Sequence, residues 1–210
     1  MNVEQARALM HEWTASAALR VHMESVAACM AGYARKLAPD QAERWTVCGL
    51  LHDFDYEKHP TPAEHPFVGV KRLEELGVDE EIRAAILGHA QYSGVARTTP
   101  MAKCLFACDE LAGFIVACCK VRPAGIMDLE PSSVKKKLKD KAFAAAVSRE
   151  DIALGVEEFG PVAGVDHTGH IEKCIEFLRA EAGRLGIGGK QGGTSLSCDD
   201  RCGQGAPRVL

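Results

Sequence analysis

Three observations predict an all-α protein. Aromatic residues make up only 6% of the 210 residues while Ala, Leu and Glu abound, a composition that favours helix over sheet. Apolar residues recur with helical spacing almost throughout, and no strand pattern or internal repeat stands out. The length suits one domain with a substantial core. We expect that domain to cover residues 1–185, and the Gly-, Ser- and Gln-rich residues 186–210 to form a flexible, disordered tail.

The first three helices are predicted from apolar spacing and from the residues that begin each helix. The first covers about Val3–Glu12, and a long second helix runs from about Ser16 to Leu37. Asp40 is the expected N-cap of a third helix, which ends at the doublet His52-Asp53. Three prolines then forbid a continuous helix over residues 54–66, so this segment is predicted to be a loop.

Prolines and capping residues also place the later helices. A fourth helix begins at His65-Pro66 and stops at Gly77, and Asp79 caps a fifth that ends near His89. Thr99-Pro100 begins a sixth, apolar helix that reaches about residue 121. Pro131 is expected to begin a short basic helix, and Ser148 begins a good capping sequence for another. A last helix spans about His167–Leu185.

Charge and composition narrow the function classes. The net charge of −4 gives no basic field that would recruit nucleic acid, and no run of about 18 apolar residues predicts a membrane span. The first residues lack the pattern of a secretory signal, so a cytoplasmic location is expected. The nine cysteines form no paired Cys-x-x-Cys framework; those in helices are expected to be small buried residues, and Cys198 and Cys202 to be exposed.

Six histidines and aspartates interrupt the apolar helical segments and predict a metal site. They are His22, His52, Asp53, His65, His89 and Asp109. Imidazole and carboxylate suit iron, manganese, zinc or cobalt, and such a set would hold one or two divalent ions beside water or substrate. The pattern therefore points to a metal-dependent enzyme.

Each residue alone is a weak signal. A single histidine on an apolar face, such as His22, is usually an ordinary core or surface residue, and Asp109 has Lys103 as a potential partner. His59 competes with His65 as the ligand from the loop. We prefer His65 because it opens a helix and is followed by Pro and Gly. The three remaining histidines, expected to be exposed, are His11, His167 and His170.

Taken in order, His22, the doublet His52-Asp53 and Asp109 resemble the signature of the HD superfamily (HDIG type) of metal-dependent hydrolases. His65 and His89 lie where the two-metal branch has two further histidines, and this ordering is similar to that of bacterial HD-type diadenosine tetraphosphate hydrolases. The resemblance covers roughly residues 20–114. It implies an HD-domain helical bundle with the metal site in its core. Asp53 would bridge two ions as the central catalytic carboxylate, with three ligands on one ion and the two further histidines on the other.

The doublet departs from the family pattern in the residues that follow it. Relatives often continue with Ile-Gly-Lys, whereas Asp55 and Tyr56 stand here where glycine and lysine are usual. Lys58, two residues late, is the candidate replacement for the missing catalytic cation. Substrate phosphate is expected to be bound by Arg122 and by the basic segment with Lys135, Lys136 and Lys137, for which a solvated helix face is the alternative.

The function expected from these residues is metal-dependent hydrolysis of a small phosphorylated substrate, an ester or an anhydride, with nucleotides included. The alternative is a di-iron oxygenase that cleaves a C–C or C–P bond with dioxygen, since these ligands do not separate the two reactions. A non-catalytic sensor is disfavoured because every ligand type is retained. The sequence leaves substrate, native metal and oligomeric state open.

Overall fold

The all-α prediction is confirmed by the computed structural model, which describes residues 1–189. Within that range the protein has ten α-helices, two short 3-10 helices and no strand. The α-helices are α1 Val3–Trp13, α2 Ala17–Leu37, α3 Ala42–Leu51, α4 Phe67–Glu75, α5 Glu80–His89, α6 Pro100–Lys120, α7 Pro131–Leu138, α8 Arg149–Ala163, α9 His167–Ala180 and α10 Ala182–Leu185.

Most predicted helix starts are confirmed by the caps that the structure contains. Asp79, Thr99 and Ser148 each accept a hydrogen bond from a backbone N–H in the first turn of α5, α6 and α8. Asp40 is not the N-cap of α3. It lies in a 3-10 turn, Pro39–Gln41, and α3 follows with Gln41 at its N-cap position. The proline begins a tight turn that delays the regular helix by one residue.

The centre of the fold consists of α2, α3 and α6, which pack against one another, with α5, α8 and α9 around them. Gly49 allows the close approach of α3 to α2, because a Cβ at this position would lie 2.6 Å from the Cα of Ala27. This contact brings the C-terminal end of α3, which precedes His52-Asp53, beside the middle of α2. The loop 54–66 then returns the chain across the same end of the bundle.

The described structure continues for four residues past Leu185, the predicted end of the domain. Ile187 is buried, and its carbonyl accepts a hydrogen bond from the Ile126 N–H at 2.9 Å. A single isoleucine among glycines carries no helical periodicity, so this contact could not be predicted from apolar spacing. The rest of the predicted tail, residues 190–210 with Cys198 and Cys202, lies outside the described residues.

The last predicted helix is two helices, α9 and α10, interrupted at Glu181. Among residues 1–189, none of the helices has the length and apolar character needed to cross a membrane. The seven cysteines of this range are buried free thiols, as predicted.

Candidate metal centre

Four of the six predicted ligands form one donor group at the end of α3. The Nε2 atoms of His22 and His52 lie 3.1 Å apart, and they lie 3.1 and 3.4 Å from Oδ1 of Asp109. Both nitrogens also lie 3.5 Å from Oδ2 of Asp53. Ligands about 2.1 Å from one ion are separated by about 3.0–3.4 Å in octahedral or tetrahedral sites. The spacing of this group therefore fits a single coordination sphere.

A second donor group uses the other oxygen of the same aspartate. The Nε2 atoms of His65 and His89 each lie 3.3 Å from Oδ1 of Asp53, and 3.3 Å from each other. The carboxylate of Asp53 thus faces one group with each oxygen. This is the arrangement of a carboxylate that bridges two metal ions.

Hydrogen bonds to the opposite ring nitrogens identify which imidazole atoms face the centre. His52 Nδ1 lies 2.9 Å from the Gly49 carbonyl, and His89 Nδ1 contacts the Ile86 carbonyl. Since a carbonyl only accepts, each Nδ1 carries the hydrogen and each Nε2 directs a lone pair inward. Lone pairs and carboxylate oxygens would repel one another at these distances, so the cluster needs cations or protons between them.

In the absence of metal, protons would fill that need. Burial lowers the pKa of His22, but hydrogen bonds from its ring to the Asp109 and Asp53 carboxylates raise it to about 10 overall. The same balance of burial against carboxylate neighbours raises the pKa of His65 to about 9. The two aspartates titrate well below their ordinary range, because nearby histidines outweigh the effect of burial. The site therefore strongly attracts positive charge.

Asp55 holds His65 in position. Its buried carboxylate accepts hydrogen bonds from His65 Nδ1 at 2.7 Å through Oδ1 and from the Gly69 N–H at 2.7 Å through Oδ2. A Cβ on Gly69 would lie 2.7 Å from the carboxyl carbon, so only glycine leaves room for this contact. Asp55 occupies the position where the sequence departs from the family pattern, and its role could not be read from the motif. The departure therefore supplies an outer-shell partner for a metal ligand.

The two donor groups lie at the base of a cavity of about 350 Å³. Its lining adds Tyr56, Tyr92 and Phe106, together with the carboxyl groups of Glu110 and Asp151. Burial, followed by the charge of Asp109, raises the pKa of Glu110 to about 7. None of the lining residues is a lysine or an arginine. The centre is thus reached from solvent through an acidic and aromatic mouth.

Two candidate residues of the loop, Lys58 and His59, lie apart from the two donor groups. His59 pairs with Glu64 at 3.2 Å and contacts neither donor group. Lys58, the expected catalytic cation, is exposed; its Nζ lies 4.8 Å from the Trp13 ring centroid and 3.5 Å from the Glu12 carbonyl. Lys58 lies two residues later than the lysine of the family pattern, and its side chain contacts α1 instead. Lys58 is therefore not part of the cavity.

The expected phosphate-binding residues are also remote from the cavity lining. Lys135 bonds to Thr168 Oγ1 on α9 at 3.0 Å, Lys136 is exposed, and Lys137 lies over the Phe143 ring. Arg122 pairs with Asp128 just after α6. The basic segment belongs to α7, which packs on α9, and none of its lysines lines the cavity. Their assignment to substrate is not supported by these positions.

The prediction of three exposed histidines holds for one of them. His11 is exposed, His167 is partly buried and His170 is fully buried. His170 bonds to Tyr33 Oη at 2.6 Å through Nδ1 and to the Ala107 carbonyl at 2.9 Å through Nε2. The apolar spacing of α9 places position 170 on its core face, so its burial could have been predicted from the sequence.

Comparison with known proteins agrees with this geometry. Residues 20–113 match the family model of the HD domain. The match includes all six residues of the two donor groups. No curated protein and no solved structure matches the chain significantly.

Proposed function

We propose that the protein is a phosphohydrolase that uses two divalent ions, of iron, manganese, cobalt or zinc, to cleave a small phosphate ester. The observation that carries the proposal is the position of Asp53, whose two carboxylate oxygens each face a separate group of imidazole nitrogens. His22, His52 and Asp109 would hold one ion, and His65 and His89 the other.

Bound ions of this kind lower the pKa of coordinated water and draw charge from phosphoryl oxygens. The chain contributes the geometry. Asp53 fixes the separation of the two positions, and Asp55 restricts the rotation of the His65 ring. The aromatic rim restricts the approach to the centre. Because no lysine or arginine lines the cavity, the negative charge of the phosphate group would have to be balanced by the two ions at the base of the cavity.

The character of the cavity favours a small substrate. Its volume of about 350 Å³ lies at the lower end of the range of about 300–1,000 Å³ common for ligand sites. A dinucleoside polyphosphate would place several negative charges near Glu110 and Asp151 without a cationic side chain to receive them. We therefore propose a phosphomonoester with one phosphate group rather than a dinucleoside tetraphosphate as the substrate.

The test is phosphate release from a panel of small phosphomonoesters and nucleotides under anaerobic conditions with added Mn²⁺, Co²⁺ or Fe²⁺. Asp53→Asn should abolish turnover and reduce bound metal, because this residue touches both donor groups. His59→Ala is the matched control, since it alters a histidine of the same region outside both groups. Absence of phosphate release, together with oxygen consumption by an iron-loaded form, would replace hydrolysis by the oxygenase reaction.

A further inference from the structure

A second cavity, which we call the basic cavity, is lined by residues from the C-terminal end of α7 and the first turns of α8 and α9. Its volume is about 300 Å³. The lining has two aliphatic and four basic side chains, and these are Leu138, Ile152, Lys135, Lys139, Arg149 and His167. None of them is acidic, and none of them lines the metal-centre cavity. Part of the basic segment thus belongs to a separate cavity.

The positive charge of this lining is not neutralised by the contacts that its residues make. Lys135 donates to the Thr168 hydroxyl at 3.0 Å, and Arg149 donates to four backbone carbonyls of residues 140–147. These acceptors are neutral. Within residues 1–189 neither side chain pairs with a carboxylate, in contrast to Lys137, which pairs with Asp140 at 3.8 Å. The cavity therefore has a positive potential in a chain of net negative charge.

Arg149 is a fixed charge in the wall of the basic cavity. Four of its five N–H donors bond to the carbonyls, and its guanidinium carbon lies 4.9 Å from the centroid of the Phe114 ring. The fifth donor, on Nε, is buried and has no acceptor among the described residues. We assign to Arg149 the attraction of an anion, and direct contact to the exposed lysines, whose ammonium groups are free to turn toward a ligand.

The helix ends at the cavity favour the same sign of ligand. Arg149 and His167 are the first residues of α8 and α9. The first turn of a helix carries partial positive charge on its unpaired N–H groups, and such turns together with lysine side chains bind phosphate in many proteins. Asp166, the acidic residue next to His167, uses its carboxylate to cap α9 through the Gly169 N–H at 2.8 Å.

The first turn of α8 links the basic cavity to the metal centre. Arg149 and Ile152 line the basic cavity, whereas Asp151 between them lines the metal-centre cavity and accepts a hydrogen bond from Gln91. A ligand that restricts this turn would also restrict Asp151. The basic cavity is thus placed to influence the mouth of the metal centre without sharing a residue with it.

We propose that the basic cavity binds a small phosphate-bearing molecule as a second ligand, distinct from the substrate of the metal centre. Lys135 and Lys139 lie one helical turn apart and would contact the phosphate oxygens, together with His167. Leu138 and Ile152 would pack against the carbon part of the ligand. The volume limits the ligand to one phosphate group on a small body. Binding requires no metal ion and does not depend on the proposed hydrolase activity.

The probe is phenyl phosphate, titrated calorimetrically into the full chain after a chelator has removed bound metal, so that hydrolysis does not interfere. At about 0.15 M salt, charges more than about 8 Å apart are largely screened. The wild-type protein should bind one molecule per chain. Lys135→Gln/Lys139→Gln should weaken binding about tenfold or more, through loss of charge-assisted hydrogen bonds. The matched control, Lys136→Gln/Lys141→Gln, removes the same charge from exposed lysines outside the lining and should keep the wild-type affinity.

Absence of saturable binding to the wild-type chain, or equal weakening in the two double variants, would overturn the proposal. Backbone amide NMR of the wild-type chain locates the ligand independently of any variant. Phenyl phosphate should shift the signals of residues 149–152 and 167–168. Shifts confined to the residues around the two donor groups would place the ligand at the metal centre and reject the basic cavity as its site.

Discussion

Replacing Asp55 by asparagine should weaken metal binding although Asp55 touches no metal position. The wild-type carboxylate accepts one hydrogen bond from His65 and one from the Gly69 N–H, each at 2.7 Å. Asparagine has nearly the same shape, but one of its two terminal atoms is an amide nitrogen that cannot accept. One of the two donors therefore loses its partner in a site that is 1% exposed.

The size of the effect follows from the bond that is lost. A hydrogen bond to a charged group contributes about 1.5–3 kcal/mol. At about 1.4 kcal/mol per factor of ten, that corresponds to a decrease in affinity of about 10–150-fold for the ion held by His65. Loss of outer-shell partners at other metal sites costs a similar factor of about 10–100.

The assay is a competition titration of Mn²⁺ or Co²⁺ against a chelating indicator, with thermal unfolding of each variant measured in parallel. Glu64→Gln is the matched control, because Glu64 makes the equivalent contact to His59, which is in neither donor group. Its metal affinity should equal that of the wild-type protein. An Asp55→Asn protein that bound both ions as tightly as the wild-type chain would refute an orienting role for this carboxylate.

Three further outcomes are expected. Gly69→Ala should lower metal content and thermal midpoint together, since the new Cβ would lie 2.7 Å from the Asp55 carboxyl carbon; Gly183→Ala, with open space around its Cβ, should be close to neutral in both measurements. The triple change of Lys135–Lys137 to alanine should leave kcat/KM for phosphate esters near the wild-type value, and a decrease would return these lysines to the site. A chain ending at residue 185 should be less stable than one ending at residue 189 by about 2–4 kcal/mol in denaturant unfolding, from the loss of one buried isoleucine and one hydrogen bond; equal midpoints would show that this contact contributes nothing.

Helix positions were predictable because their signals are local. A capping side chain acts within one turn, so Thr99 and Ser148 identified the starts of α6 and α8 without knowledge of the tertiary structure. The prediction of Asp40 as an N-cap was wrong because a 3-10 turn and a helix N-cap place the same residue types before an apolar segment. The difference depends on how the turn packs against α2, which spacing does not encode.

The six His and Asp residues could be predicted as a set because each is a polar group in or beside an apolar segment, where burial without a partner is costly. His22 and Asp109 are far apart in sequence, yet each has the same need for a compensating charge, and the fold brings them to 3.1 Å. The role of Asp55 could not be predicted in this way. A carboxylate next to a doublet reads as an exposed loop residue, and its partner Gly69 carries no side chain that could signal the contact.

None of the predicted cationic residues lines the cavity, because charge density in a sequence does not indicate where the side chains will lie. Lys135 contacts Thr168 and Lys137 lies over the Phe143 ring, and neither lysine lines the cavity. The phosphate charge that motivated their assignment would be met by the ions that the acidic residues attract. With Asp53, Asp109 and Glu110 attracting those ions, the site would not need lysines at its base. The cluster of lysines therefore indicates an exposed helix face rather than a substrate-binding site.

The same helices carry donors of two kinds, separated along their length. On α2, His22 lies near the N-terminal end and Cys29 two turns later, and on α6 the neighbours Cys108 and Asp109 diverge by about 100°. The imidazole and carboxylate donors thus converge at the solvent-reaching cavity, whereas the thiols are buried in the core. Cys108 and Asp109 therefore lie on different faces of α6, and a change at Cys108 should alter the His/Asp centre only by moving this helix.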